Sequence, residues 1–339
     1  MKVLICLFTA FFMSVSMMGQ LASKGKPVPL IFDTDMGPDY DDVGALTLLH
    51  ALADKGEVRL LATVSSNMDS LAAPCIDVIN TYFGRANLPI GATKTGVNLG
   101  DHWHKEMWTK ALSENFPHQL RNTADAPDAV TVYRQILAKE KNHSVVIVTV
   151  GFLTNLAALL DSPPDKYSKL NGKELVRKKV KHLVSMAGCI PSGREFNVFS
   201  DAKASQKVFS EWNTPIIISN FEIGANIFTG KRLINSDIEN TPAKTVFSIA
   251  MKQEDFDGRS SWDQTAVLIG VRGTKSYFGT VKGKMIVADD GSNTWQDDKK
   301  GSHEYLTWKM PKEELTKIIE DLMMHVNNPI QKALMNRMY

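Results

Sequence analysis

The sequence predicts an α/β fold, a mainly parallel central sheet flanked by helices in a Rossmann-like open arrangement. Three observations carry this. Short runs rich in Val, Ile and Leu recur along the chain. Longer segments with helical apolar spacing lie between them. The runs are apolar throughout rather than alternating, as expected of strands covered on both faces.

The elements follow in order. "PVPLIFDTD" from Pro27 reads as a strand and "DDVGALTLLHALADK" from Asp41 as the helix after it. "VRLLATVSSN" from Val58 is a second strand, followed by the helix "SLAAPCIDVINTYFGRA" from Ser70. "HSVVIVTVG" from His143 is a strand and "LTNLAALLDS" from Leu153 a helix. "VKHLVSMAG" from Val180 and "TPIIISNFE" from Thr214 read as two more strands. The region from Asn98 to Pro127, with "NLGDHWHKEMWTK", reads as a long insertion with exposed aromatics. Lys282 to Tyr305 reads as terminal strands and a loop. Sheets of this kind bind ligands at the carboxyl ends of their strands.

With 43% hydrophobic and 22% charged residues among 339, the composition is that of a globular protein. A formal net charge of +2 without a long basic run points away from nucleic acid and anionic membranes. "MKVLICLFTAFFMSVSMMG" has Lys2, a short apolar stretch and small residues at Ser14, Ser16 and Gly19. That is the pattern of a signal peptide over residues 1–22, and the run is shorter than the ~20 apolar residues that span a bilayer. The expectation is an exported chain, periplasmic or secreted, with one domain over residues 26–339. Cys75 and Cys189 are expected as buried free thiols, because a single pair makes no disulfide scaffold.

Asp33, Asp35, Asp39, Asp41 and Asp42 crowd into ten residues where the first strand hands over to the first helix. A helix N-terminus favours one or two such charges, at roughly 0.3–1 kcal/mol each. A hard divalent cation accounts for more, since it takes several carboxylate oxygens at once. The cluster is thus a metal site or a set of caps with spare charge. A strand followed by DxD also opens haloacid-dehalogenase phosphotransferases, but Gly37 and the pair Asp41-Asp42 do not suit that pattern.

The string "DTDMGPDYDD" resembles the DTDxGxDDA signature of the inosine–uridine preferring nucleoside hydrolase family, with two extra residues before the Asp pair. "VTVGFLTNLAALL" from Val148, "SGREFNVFSDAKAS" from Ser192 and "SSWDQTAV" from Ser260 resemble later segments of that family, in the same order. The resemblance implies a hydrolase cleaving the N-glycosidic bond of ribonucleosides to free base and ribose. It implies Ca²⁺ held by Asp35, Asp42, Asp263 and the backbone carbonyl of Val150, with Asp35 also the base that activates the attacking water. It implies Asp41, Asn67, Glu195 and Asn197 as sugar-binding residues, Asp33 as a residue orienting its neighbours, and a homodimer or homotetramer.

Read without the resemblance, Asn67 serves equally as a cap of the helix near Ser70, and Glu195 and Asn197 as loop residues. Asp39 lies in the two-residue expansion, where a register in which it replaces Asp41 stays open. Trp262 stands where many relatives carry a histidine acid; it can stack on a base but cannot supply a proton, and it also reads as a core residue. "MAGCIPSGREFN" is shorter than its counterpart and lacks an Asn there, with Cys189 or Ser192 nearby. His102, Trp103, His104 and Trp108 read as a lid with a replacement acid, as a solvated helix start or as a dimer contact. The alternative to an enzyme is a non-catalytic nucleoside- or sugar-binding protein on the same scaffold.

Overall fold

The computed structural model describes residues 25–102 and 104–327. The signal-peptide reading of residues 1–22 and the reading of Trp103 lie outside the described residues. The strands are β1 (Val28–Thr34), β2 (Val58–Ser65), β3 (Ile90–Ala92), β4 (Val145–Thr149), β5 (Val180–Met186), β6 (Ser192–Gly193), β7 (Ile216–Ser219), β8 (Phe228–Thr229), β9 (Arg259–Ser260), β10 (Phe278–Val287), β11 (Asn293–Asp297) and β12 (His303–Trp308). Ten of them form one sheet in the order β3-β2-β1-β4-β5-β7-β12-β10-β11-β6, and β8 pairs with β9 apart from it. The sheet is parallel from β3 through β12. It becomes antiparallel across β10, β11 and β6.

Side chains of the central strands alternate between two cores. Leu30, Phe32, Val146 and Val148 enter one; Ile31, Val145 and Ile147 enter the other. All five residues of β4 are buried, which explains its unbroken apolar run. The helices Asp41–Asp54 and Trp262–Arg272 are buried almost all round, which accounts for their weak two-sidedness in the sequence. They meet closely at Gly44, where an added Cβ would lie 2.5 Å from Gln264 Nε2. That approach brings the carboxylates at the start of both helices to one place.

The described residues of the insertion are more regular than their sequence suggests. They include the helix Trp108–Asn115, and Trp108 is fully buried rather than exposed. Asp101 fixes the helix start by accepting from Thr109 N at 3.1 Å and Thr109 Oγ1 at 2.8 Å. Cys75 and Cys189 are both free thiols, Cys75 buried and Cys189 half-buried. Among the described residues no helix is long and apolar enough to cross a membrane.

Candidate active site

Five chain segments converge beyond the carboxyl ends of the parallel strands. Asp35 follows β1, Val150 follows β4, Glu195 and Asn197 lie beyond β5, Phe221 follows β7, and Asp263 stands in the first turn of helix Trp262–Arg272. They enclose a cavity of about 190 Å³, room for far more than a hydrating water. Its acidic wall is Asp35, Asp39, Asp41, Asp263 and Glu195; its apolar wall is Met186, Phe196, Phe221 and Trp262.

The carboxylates are held in different ways. Asp42 Oδ1 accepts from Thr34 Oγ1, while Asp42 Oδ2 is buried without a hydrogen-bond partner. Asp41 Oδ1 accepts from Arg259 Nε at 3.0 Å and Nη2 at 2.7 Å, and Asp41 Oδ2 from the Asp263 N–H at 3.3 Å. Arg259 Nη2 also lies 2.9 Å from Asp39 Oδ2. The carboxylate oxygens of Asp39, Asp41 and Asp263 come within 4.8 Å of one another. This trio shares Asp263 with the Asp35, Asp42 and Asp263 set expected from the sequence, and Arg259 bridges its other two members, Asp39 and Asp41.

Burial pushes the carboxyls of Asp35, Asp42 and Asp263 well above the ordinary range, and neighbouring carboxylates add to the push. Burial also raises Asp41 and Glu195 to about 7, against the Arg259 charge in the first case and the backbone N–H of Asn197 in the second. A cation among these groups would reverse the shift, since it favours the ionised forms. The orphaned oxygen of Asp42, the carboxylates of Asp35 and Asp263 and the carbonyl of Val150 are all hard oxygen donors, a set that fits a divalent ion.

Residues 30–321 match the inosine-uridine preferring nucleoside hydrolase family. The chain belongs to that family. The inosine-uridine preferring nucleoside hydrolase of Leishmania major is 28% identical over 205 residues, covering 56% of this chain and 60% of that protein. The pyrimidine-specific ribonucleoside hydrolase RihA of Shewanella oneidensis is 28% identical over 230 residues, covering 63% of this chain and 64% of that protein. The matched stretch thus spans less than two thirds of either curated relative. A solved inosine-uridine preferring nucleoside hydrolase from Bacillus anthracis shares the fold, with a TM-score of 0.64, 17% identity, and coverage of 88% of this chain and 99% of that one.

Within this nucleoside hydrolase scaffold the expected site residues fall into two groups. Asp35, Asp41, Val150, Glu195, Asn197, Trp262 and Asp263 line the cavity, and Asp42 lies buried beside them. Glu195 accepts from the N–H groups of Asn197 (2.9 Å), Gly188 (3.1 Å) and Val198 (3.3 Å), capping the short helix Phe196–Ser200. Asn197 Nδ2 donates to the Val150 carbonyl at 2.9 Å. Asn67 is set apart. Its Nδ2 donates to the carbonyls of Asp35 (3.0 Å) and Leu99 (2.5 Å), and its Oδ1 accepts from Leu99 N and Asp69 N. Asn67 therefore braces the loop that carries Asp35 and is not part of the cavity wall. Asp33 accepts from Tyr133 Oη at 2.7 Å and from Asn155 Nδ2 at 3.2 Å, a supporting role below the site.

The described residues of the insertion stand apart from the cavity. His104 Nε2 pairs with Glu254 at 3.1 Å, and neither His102, His104 nor Trp108 lines the cavity. Sequence reasoning missed Arg259, Phe221, Phe196 and Met186. Trp262 is half-buried, packed against the core, and its ring stacks on Phe221.

Proposed function

We propose that this protein hydrolyses the N-glycosidic bond of ribonucleosides, releasing free base and ribose. The family match over residues 30–321 carries this reading, and Asp42 Oδ2, buried and unpartnered beside the other acidic groups, supports a cation within it. Asp35, Asp42, Asp263 and the Val150 carbonyl would hold Ca²⁺, which when bound supplies Lewis-acid activation of a water and a fixed point for sugar oxygens. Asp35 takes the proton of the attacking water. The acidic wall favours the positive charge that develops on the sugar as the C–N bond breaks. Glu195 and Asn197 hold sugar hydroxyls, and Met186, Phe196 and Trp262 form the apolar side against the base. The signal-like residues 1–22 support export.

One observation favours the alternative of a non-catalytic binder. The indole N–H of Trp262 is engaged by the Phe221 carbonyl, so the position that carries a histidine acid in many relatives offers no proton. The test is free ribose released from a panel of purine and pyrimidine nucleosides, with and without a chelator. Release that stops on chelation and returns with Ca²⁺ supports the hydrolase. Calorimetric binding of nucleosides with no release of ribose supports the binder. An Asp35→Asn variant is expected to lose about 10²–10⁴ in kcat.

A further inference from the structure

We propose that Arg259 is a positioning residue that acts as the resident cation for one half of the acidic cluster, confining the divalent ion to the other half. The inference rests on the divalent-ion reading above and goes beyond it. Arg259 is 9% exposed, and its guanidinium reaches Asp41 through Nε and Nη2 and Asp39 through Nη2. Its Nη1 lies 3.4 Å from Asp255, and its charge sits 4.9 Å above the Tyr40 ring and 5.1 Å above that of Trp262. Such a fork cannot be deprotonated and holds a carboxylate through two N–H groups at once.

The two halves differ in what they leave open. Both oxygens of Asp41 already have N–H donors. Asp42 has one oxygen with none. Yet the oxygens of Asp39, Asp41 and Asp263 lie close enough together to hold an ion. The tethered guanidinium pairs with two of these three carboxylates and so stands where a metal of their own would sit. With Asp263 common to both arrangements, a second ion would sit beside the first and bring its charge into the space the sugar occupies.

Calorimetric Ca²⁺ titration of the full chain tests this without any assay of turnover. Wild type is expected to bind one equivalent. Arg259→Met is expected to bind two, and Asp39→Asn in that background to return it to one. Arg259→Lys, which keeps the charge, is expected to stay at one. Arg259→Gln, neutral but still a hydrogen-bond donor, carries the same expectation as Arg259→Met if the latter fails to fold, with thermal melts reporting folding. One equivalent at wild-type affinity in both neutral variants overturns the proposal, as do two equivalents in Arg259→Lys. Absence of any Ca²⁺ uptake by wild type would overturn the divalent-ion reading as well, which separates the two failures.

Discussion

Trp262 and Phe221 are joined twice: the indole Nε1–H donates to the Phe221 carbonyl at 2.9 Å, and the two rings stack with centroids 5.3 Å apart at 28°. The pair ties the end of β7 to the start of the helix that carries Asp263. Its outer member, Phe221, is 39% exposed at the cavity mouth, a cost in apolar exposure that an incoming planar base would offset.

Trp262→Phe keeps an aromatic ring and removes the donor. The expected result is a KM about tenfold higher, from reduced ring contact with the base and a less firmly held Phe221, together about 1–1.5 kcal/mol, with kcat little changed. Steady-state kinetics on the best substrate of the panel checks this. A thousandfold fall in kcat at constant KM would instead give the indole a part in the chemical step.

Gly151 follows Val150 at the end of β4, pressed against Asp35. A Cβ there would lie 2.4 Å from Asp35 N, 2.7 Å from its Cβ and 2.8 Å from its Oδ1. Backbone on both sides leaves little room to yield, so Gly151→Ala must displace Asp35. A shift near 1 Å costs about 100-fold in rate for a positioned group. Gly151→Ala is expected to lose that much in kcat and to bind Ca²⁺ more weakly by calorimetry. Activity within twofold of wild type would show that Asp35 need not sit where it does.

The core of the fold was legible because β1, β2, β4, β5 and β7 are short apolar runs with turn residues at both ends, and burial on both faces leaves no alternation to misread. Asp35, Asp41, Asp42, Glu195 and Asp263 were legible because each sits in a short string whose order along the chain resembles the family pattern. Arg259 was not. It belongs to a two-residue strand, and its partner Asp41 is 218 positions away, so nothing local marks it. The bracing role of Asn67 was hidden for a similar reason. Its partner Leu99 lies in the insertion, whose order comes from burial of Trp108 and from side-chain hydrogen bonds such as those of Asp101, not from periodicity.

Arg134 anchors the segment between the helices Thr154–Asp161 and Gly172–Lys179. It is buried, and it donates to Asp165 through Nε at 2.8 Å and Nη2 at 3.1 Å, to Ser162 Oγ at 2.8 Å and to the Leu170 carbonyl at 2.9 Å. Its hydrogen bonds hold Asp165 down to about 2. Arg134→Ala orphans these acceptors. Asp165 is partly solvated, which limits the loss to about 2–3 kcal/mol. Urea unfolding should show a lower midpoint, while Ca²⁺ affinity stays near wild type because the segment does not line the cavity.

His303 supplies the pH prediction. Its ring is buried, and Nδ1 accepts from the Met285 N–H at 3.1 Å, which requires the neutral form. Burial lowers its pKa from 6.5 to about 4, and the nearby Lys284 charge adds to this. The folded pKa is depressed for a base, so the unfolded chain takes up the proton first as pH falls. The stability held in the neutral ring is intact above pH 6.5 and is lost progressively down to about 4. Each unit of that window is worth about 1.4 kcal/mol. Buried carboxylates elsewhere shift with the opposite sign, so the comparison is wild type against His303→Gln at each pH. The stability advantage of wild type should shrink by about 2–3 kcal/mol between pH 7.5 and 4.5 in denaturant unfolding. An advantage that stays constant across this range would mean that the ring is not held neutral in the folded chain.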